Sequence, residues 1–208
     1  MSRVLIKICG VQVLEEAKTV IEGGADFVGF QFITFAKRKI TLEKAFKIIE
    51  QLPSSVQCIG VFVDENPKIV NKIATECHLT YVQLQGSESP QYCKLIKFPI
   101  IKGFEVREEL DLSIFEPYEK VVDKFLLDTP HDSLRDPKKT FNFGIAIEAC
   151  KKYEIMIAGG LSVENIGMAI KLLHPWGVDV SGSVREDEKI NLEKVKEFVR
   201  TVRKVENK

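Results

Sequence analysis

No apolar run in the 208-residue chain approaches the roughly 20 residues that a membrane-spanning helix needs, so no transmembrane segment and no membrane partner are expected. An excess of charge is missing too, because 30 Lys and Arg stand against 30 Asp and Glu. Without a net field there is nothing to gather nucleic acid or anionic lipid, and any anion site has to be local. CxxC pairs and Cys/His clusters are absent. The five cysteines (Cys9, Cys58, Cys77, Cys93 and Cys150) are scattered and odd in number, which points away from a metal site and toward a reducing cytoplasm. The opening "MSRVLIKICG" has too short an apolar run and no cleavage signal for a secretory leader. No stretch rich in Pro, Gly or Ser divides the chain, so one domain over residues 1–208 is expected. Hydrophobic residues make up 45% and charged residues 29%, the balance of a globular protein long enough to bury a large core.

What the chain does have is alternation. Short apolar runs fall at 3–9, 26–32, 56–63, 81–84, 99–103, 122–128, 154–159 and 177–181. Most are too short for helices and too continuously apolar for half-exposed antiparallel strands, so they read as buried parallel ones. Amphipathic segments lie between them, with recognisable starts. Thr41 precedes "LEKAFKIIEQL", with Glu43 in the first turn, and Asn66-Pro67 and Ser89-Pro90 set a cap residue before a proline. Ser162 precedes "VENIGMAIKLL", and "NLEKVKEFVRTVRKV" (191–205) closes the chain. The fifth unit is the weakest, since "REELDLSIFEP" (107–117) is helical only in part. Eight such units predict a minimal (β/α)8 barrel, with a doubly wound open sheet as the alternative.

In a barrel of this kind the chemistry lies where strands end and βα loops begin. The first run ends at Cys9, followed at once by Gly10; the second leads into a loop carrying Arg38; the fourth ends at Gln85. The sixth ends at Asp128, the seventh at Gly159-Gly160, and the eighth at Ser181-Gly182-Ser183. Taken singly, Cys9 is also what a small buried hydrophobe looks like, Arg38 a solvated loop residue and Asp128 a turn cap. Taken together, they converge on one face. Two glycines between a strand and a helix free backbone N–H groups for a phosphate, and loops seven and eight are where this fold holds one. Asp179, inside the eighth run, reads as a structural residue or a partner for a sugar hydroxyl.

The chain also resembles a known family, phosphoribosylanthranilate isomerase. The resemblance rests on "KICG" (7–10), "GADFVGFQF" (24–32), "KR" (37–38), "IGVFVDENP" (59–67), "YVQLQG" (81–86), "LLDT" (126–129), "KTFNF" (139–143), "AGGLSVENIGMAI" (158–170) and "GVDVSGSV" (177–184), in order and over nearly the whole chain. It implies a TIM barrel that uses no metal or organic cofactor, acts on a small phosphoribosyl substrate, and works in tryptophan biosynthesis as a monomer or homodimer. It further implies Cys9 as general base, Asp128 as general acid and Arg38 as the reader of the anthranilate carboxylate. Gly159, Gly160 and the 181–183 segment would bind phosphate. Three places depart from the family pattern. Gln85 stands where a His is usual, "LRDPKKTFNF" lacks the usual glycines before its Phe, and "SGSVR" swaps a Ser-Gly pair and puts Arg185 in place of Glu.

The implied reaction is an Amadori rearrangement. A protonated Asp128 opens the furanose, and a Cys9 thiolate, its pKa lowered by loop cations, takes the proton on C2. The alternatives are another sugar-phosphate isomerase on the same barrel and a non-catalytic phosphosugar-binding relative whose sixth loop has decayed.

Overall fold

Each of the eight apolar runs forms a strand, and the strands pair in chain order, all parallel, into a closed barrel. The structure, a computed structural model, describes residues 3–130 and 140–206. The strands are β1 (Leu5–Cys9), β2 (Phe27–Gln31), β3 (Gln57–Phe62), β4 (Tyr81–Leu84), β5 (Ile100–Glu105), β6 (Lys124–Asp128), β7 (Ile155–Ile157) and β8 (Gly177–Val180). The open-sheet alternative is excluded by the pairing of β8 with β1, in register from Leu5 opposite Gly177 to Ile8 opposite Val180.

The connecting helices are α1 (Leu14–Glu22), α2 (Leu42–Ile49), α3 (Pro67–Glu76), α4 (Pro90–Cys93), α5 (Ile147–Lys152), α6 (Ile166–Leu173) and α7 (Leu192–Glu206). Three of the caps read from sequence form. Thr41 accepts from the Lys44 amide, Asn66 from that of Lys68 and Ser89 from that of Tyr92, each satisfying an N–H that has no partner within its helix. The fourth does not. Residues 163–165 are a turn and α6 begins at Ile166, so Asn165 takes the flanking position that Ser162 was expected to hold. The weak fifth unit is two 3₁₀ turns, Leu112–Ile114 and Glu116–Tyr118.

Strand alternation sorts the side chains into two cores. Outward-facing Ile6, Ile8, Val28, Phe30, Val82 and Leu127 pack under the helices. Inward-facing Phe27, Ile59, Ile101, Leu126, Met156 and Ala158 fill the barrel near its N-terminal end, with Leu5, Tyr81 and Trp176 against them. Toward the C-terminal ends of the strands the same inward rows turn polar, through Lys7, Cys9, Gln31, Gln83, Asp128 and Asp179. That change, from apolar floor to polar mouth, positions the site.

Gly10 follows β1 with φ +84°, and a Cβ there would lie 2.7 Å from Cδ of Arg38. Gly182 has open space where a Cβ would go. Gly10→Ala is therefore expected to lower unfolding stability by about 1–3 kcal/mol, through a disfavoured backbone region and a displaced Arg38. Gly182→Ala should stay within about 0.5 kcal/mol of the parent. Urea unfolding of the two variants checks the contrast, and equal effects would contradict it.

Candidate active site

Cys9 and Asp128 are the last residues of β1 and β6, and both project into the mouth of the barrel. Cys9 is 6% exposed. Its sulfur accepts a hydrogen bond from Nε2 of Gln31 at 3.7 Å and lies beside the end of the Lys7 side chain, whose positive charge acts on it. Gly29, directly opposite Cys9 in the sheet, is what makes room for this grouping. A Cβ on Gly29 would sit 3.0 Å from Cε of Lys7 and 3.2 Å from the Cys9 sulfur.

The thiol reverses one expectation. Loop cations were expected to lower its pKa, whereas burial pushes it up. The cation beside it comes from its own strand, and Lys7 offsets only part of the desolvation while Asp179 adds to it. The acid behaves as expected. Burial first, and the negative charge of Asp179 second, push the Asp128 carboxyl up to about 7, against a downward pull from the Thr129 amide and Lys7. Asp128 is thus a carboxylic acid with a proton to give near neutrality.

Asp179 is tied to Lys7 by a 2.7 Å ion pair, and its other oxygen, Oδ1, is buried with no hydrogen-bond partner among the described residues. Arg38 reaches in from the β2 loop, its stem lying over Gly10. Its Nη1 is 3.5 Å from Oγ of Ser181, and its Nη2 is 3.3 Å from the carboxylate of Glu188. Gln85 follows β4 and accepts from Nε2 of Gln83 at 3.0 Å, in space left by Gly103.

Loops seven and eight are braced to each other and to β1. Gly159 and Gly160 have φ +84° and +64°. A Cβ on Gly159 would lie 2.6 Å from Oδ1 of Asp128, so this glycine admits the acid as well as the turn. The Asn165 side chain accepts from the Ser162 amide and donates to the Gly160 carbonyl. Ser181 donates to the Cys9 carbonyl at 2.8 Å, Ser183 donates to the Leu161 carbonyl at 2.7 Å, and Gly182 is exposed between them.

Two residues were not singled out as functional from sequence. Lys7 appeared only as the first residue of the quoted "KICG" stretch. Arg185 appeared only as a replaced Glu, yet it is buried and donates to the Gly10 carbonyl at 2.7 Å, to Glu16 at 2.9 Å and to the Glu188 carbonyl at 2.7 Å. It fastens the end of β1 to α1 and to the small hairpin β9 (Arg185–Glu186) and β10 (Lys189–Ile190) that carries Glu188 beside Arg38. Residues Arg135, Asp136, Pro137 and Lys138 of the sixth loop, where the family glycines are missing, lie outside the described residues. Among the described residues there is no group of three or more His, Cys, Asp or Glu side chains that could hold a metal ion, and no helix long and apolar enough to cross a membrane.

A closed eight-stranded barrel with its polar residues gathered at the C-terminal ends of the strands puts this chain among the (β/α)8 barrels. Within that class the family model described as N-(5'phosphoribosyl)anthranilate (PRA) isomerase matches residues 6–201, and the chain belongs to that family. The N-(5'-phosphoribosyl)anthranilate isomerase of Pelobacter propionicus is 42% identical over 197 residues, covering 94% of this chain and 93% of that one. The crystal structure of the Thermotoga maritima phosphoribosyl anthranilate isomerase superposes with a TM-score of 0.89 at 34% identity, covering 97% of this chain and 99% of that one. That enzyme is described as dimeric. A phosphoribosyl anthranilate isomerase in complex with reduced 1-(o-carboxyphenylamino)-1-deoxyribulose 5-phosphate gives 0.86 at 33% identity, again covering 97% and 99%.

The raised Asp128 carboxyl has a consequence for stability. Its pKa in the unfolded chain is about 3.9, so between about pH 4 and 7 the folded state binds more protons than the unfolded one, and stability falls as pH rises. Above pH 7 the cost is complete, at most about 4 kcal/mol because the carboxyl keeps some contact with solvent. Asp128→Asn should therefore stabilise the protein at pH 8 and leave it nearly unchanged at pH 4. Melting temperatures at the two pH values check this, and equal shifts at both would contradict a carboxyl that titrates near 7.

Proposed function

We infer that this chain catalyses the Amadori rearrangement of N-(5-phosphoribosyl)anthranilate to 1-(2-carboxyphenylamino)-1-deoxyribulose 5-phosphate, a step of tryptophan biosynthesis, with Asp128 as acid and Cys9 as base. The observation that carries the role assignment is the pairing of a carboxyl that holds its proton to about pH 7 with a thiol at the neighbouring rim of one barrel mouth, in a chain of this family.

The steps balance with these two groups alone. Asp128 gives its proton to the furanose oxygen, the bond from that oxygen to C1 breaks, and the nitrogen lone pair forms a C1–N double bond. The cationic Schiff base acidifies C2. Cys9 takes the C2 proton, the released pair forms a C1–C2 double bond, and the nitrogen recovers its lone pair. The resulting enolamine gains a proton at C1 and loses one from the C2 hydroxyl to become the ketone. Return of the proton from Cys9 to Asp128 resets the pair, so acid and base suffice without a cofactor.

Binding follows the same rim. Arg38 presents a planar fork suited to the substrate's carboxylate, in the place where the Glu188 carboxylate now lies. The backbone of loops seven and eight, half-buried at Gly159, Gly160 and Ser181 and exposed at Gly182 and Ser183, is suited to the phosphate. Asp179 has one oxygen to offer a ribose hydroxyl, and Gln85 lies in the lumen row as a further hydrogen-bonding partner. The reading carries with it a cytoplasmic location and a monomeric or homodimeric state.

An assay of the purified protein on phosphoribosylanthranilate tests the activity. Within it, Cys9→Ala should reduce kcat by about 10²–10⁴-fold while substrate still binds, the usual worth of a positioned base. Turnover within a few-fold of the parent would remove the thiol from the mechanism. Arg38→Lys should act mainly on KM, raising it about tenfold, because a point charge cannot reproduce a two-pronged contact. An unchanged KM would show that the carboxylate is read elsewhere.

A further inference from the structure

Lys7 is the residue the acid–base scheme leaves without a task. It is 0% exposed, two positions before Cys9 on β1 and directly opposite Asp179 on β8. Its Nζ lies 2.7 Å from Oδ2 of Asp179, and the end of its side chain lies beside the Cys9 sulfur, the two flanking the space that a Cβ on Gly29 would fill. Gly29 gives up its side-chain volume to both Lys7 and the sulfur, so the barrel is carved to bring ammonium and thiol together.

Stability alone is a poor reason for this arrangement. A buried ion pair is commonly matched or bettered by well-packed apolar residues of similar volume, because desolvating two charges costs about what their attraction returns. Two apolar residues at positions 7 and 179 would close the seam between β1 and β8 as well.

We propose that Lys7 is the positioning residue of the base: its ammonium, balanced on one side by Asp179, is the internal counter-ion of the Cys9 thiolate and holds the sulfur toward the substrate carbon. The proposal rests on the reading of Cys9 as base and gives that reading its electrostatics.

Among the described residues the charges around the thiol are few. Lys7 approaches from β1 and Asp179 from β8, while β2 contributes the neutral amide of Gln31. Arg185 reaches the Cys9 carbonyl at 3.4 Å, with Arg38 next to it across Gly10. Asp128 on β6 feels Asp179 and Lys7 in opposite senses, with Glu105 a smaller upward influence. One ammonium therefore faces two buried acidic groups, the Asp179 carboxyl and the Cys9 thiol. Burial first lowers the affinity of Lys7 for its proton, but Asp179 and Cys9 together more than reverse that, so Lys7 stays charged through the working range.

The thiol titrates above its ordinary value and Asp128 at about 7, so a protonated Asp128 facing a Cys9 thiolate is a minority ionisation state. Every unit by which a neighbour lowers the thiol's pKa raises that population about tenfold. Lys7 acts on that population.

The experiment follows the Cys9 ionisation directly, by ¹³C NMR of protein labelled at cysteine Cβ, with Cys9→Ala identifying the signal. Four proteins are compared: the parent, Lys7→Met, Asp179→Asn, and the double variant Lys7→Met/Asp179→Asn. The double variant removes both buried charges together and guards against loss of fold from an unpaired carboxylate. The thiol's pKa is expected to rise by about one unit or more in Lys7→Met, with kcat/KM on its plateau falling by the same factor. In Asp179→Asn the pKa should fall, because the ammonium then serves the sulfur alone, and between Asp179→Asn and the double variant it should rise again by about one unit or more. Equal thiol titration in those last two proteins would overturn the proposal and leave Lys7 a structural residue, whatever the activities. The NMR titration does not depend on turnover, so failure of the base assignment itself would appear separately, as an active Cys9→Ala.

Discussion

The barrel closes where β8 meets β1, and the buried pair of Lys7 and Asp179 across that seam is the contact on which the rest of the site depends. It brings two charges into a lumen floored by Phe27, Ile59, Ile101, Leu126, Met156 and Ala158, and removing either partner would leave the other a buried unpaired ion. The pair then acts on its neighbours by sign. The negative end raises the affinity of Asp128 for its proton, and the positive end favours the thiolate of Cys9. Burial opposes the thiolate and supports the protonated carboxyl, so the same desolvation prepares the proposed acid and handicaps the proposed base. An acid and a base set apart in this way, by environment rather than by residue type, recur wherever one site does both jobs near neutral pH.

Around this pair the chain withholds side chains where polar groups need room. Gly29 leaves space for Lys7 and Cys9, Gly159 for the carboxyl of Asp128, and Gly10 for the stem of Arg38. The rim is then fastened by polar contacts between loops seven and eight and across the barrel closure. Ser181 holds the Cys9 carbonyl, Ser183 holds loop seven, and Arg185 clamps the Gly10 carbonyl to Glu16 of α1. Two departures from the family pattern fall in this rim. The swapped Ser-Gly order leaves both hydroxyls with backbone partners, and the arginine in place of Glu fills a buried position rather than disturbing the loop.

Much of this was legible in the sequence, for identifiable reasons. Parallel strands buried on both faces write themselves as short unbroken apolar runs, so all eight were readable, and a proline behind Asn66 or Ser89 marks a helix start with little ambiguity. Strand ends then pointed to Cys9, Arg38, Asp128 and the two glycine- and serine-bearing loops. The failures were of another kind. Ser162 satisfies a local rule for a cap, but the Asn165 side chain spans loop seven and the helix starts after it. Lys7 breaks an apolar run, and only closure of the barrel reveals that its side of β1 faces Asp179. The direction of the Cys9 shift depends on weighing burial against one nearby cation, and neither quantity is written in residue order. Arg185 could be compared with a family pattern but not seen to be buried.

The central claim is that burial and the charge of Asp179 let Asp128 hold its proton up to about pH 7. Infrared difference spectroscopy tests it most directly, on protein with isotope-labelled aspartate and with Asp128→Asn to identify the band. The account expects a protonated carboxyl band from Asp128 that persists at pH 6 and titrates away near pH 7. It further expects the midpoint to move down when Asp179 is replaced by Asn. A fully ionised Asp128 at pH 6, in a protein with intact fold and activity, would contradict it.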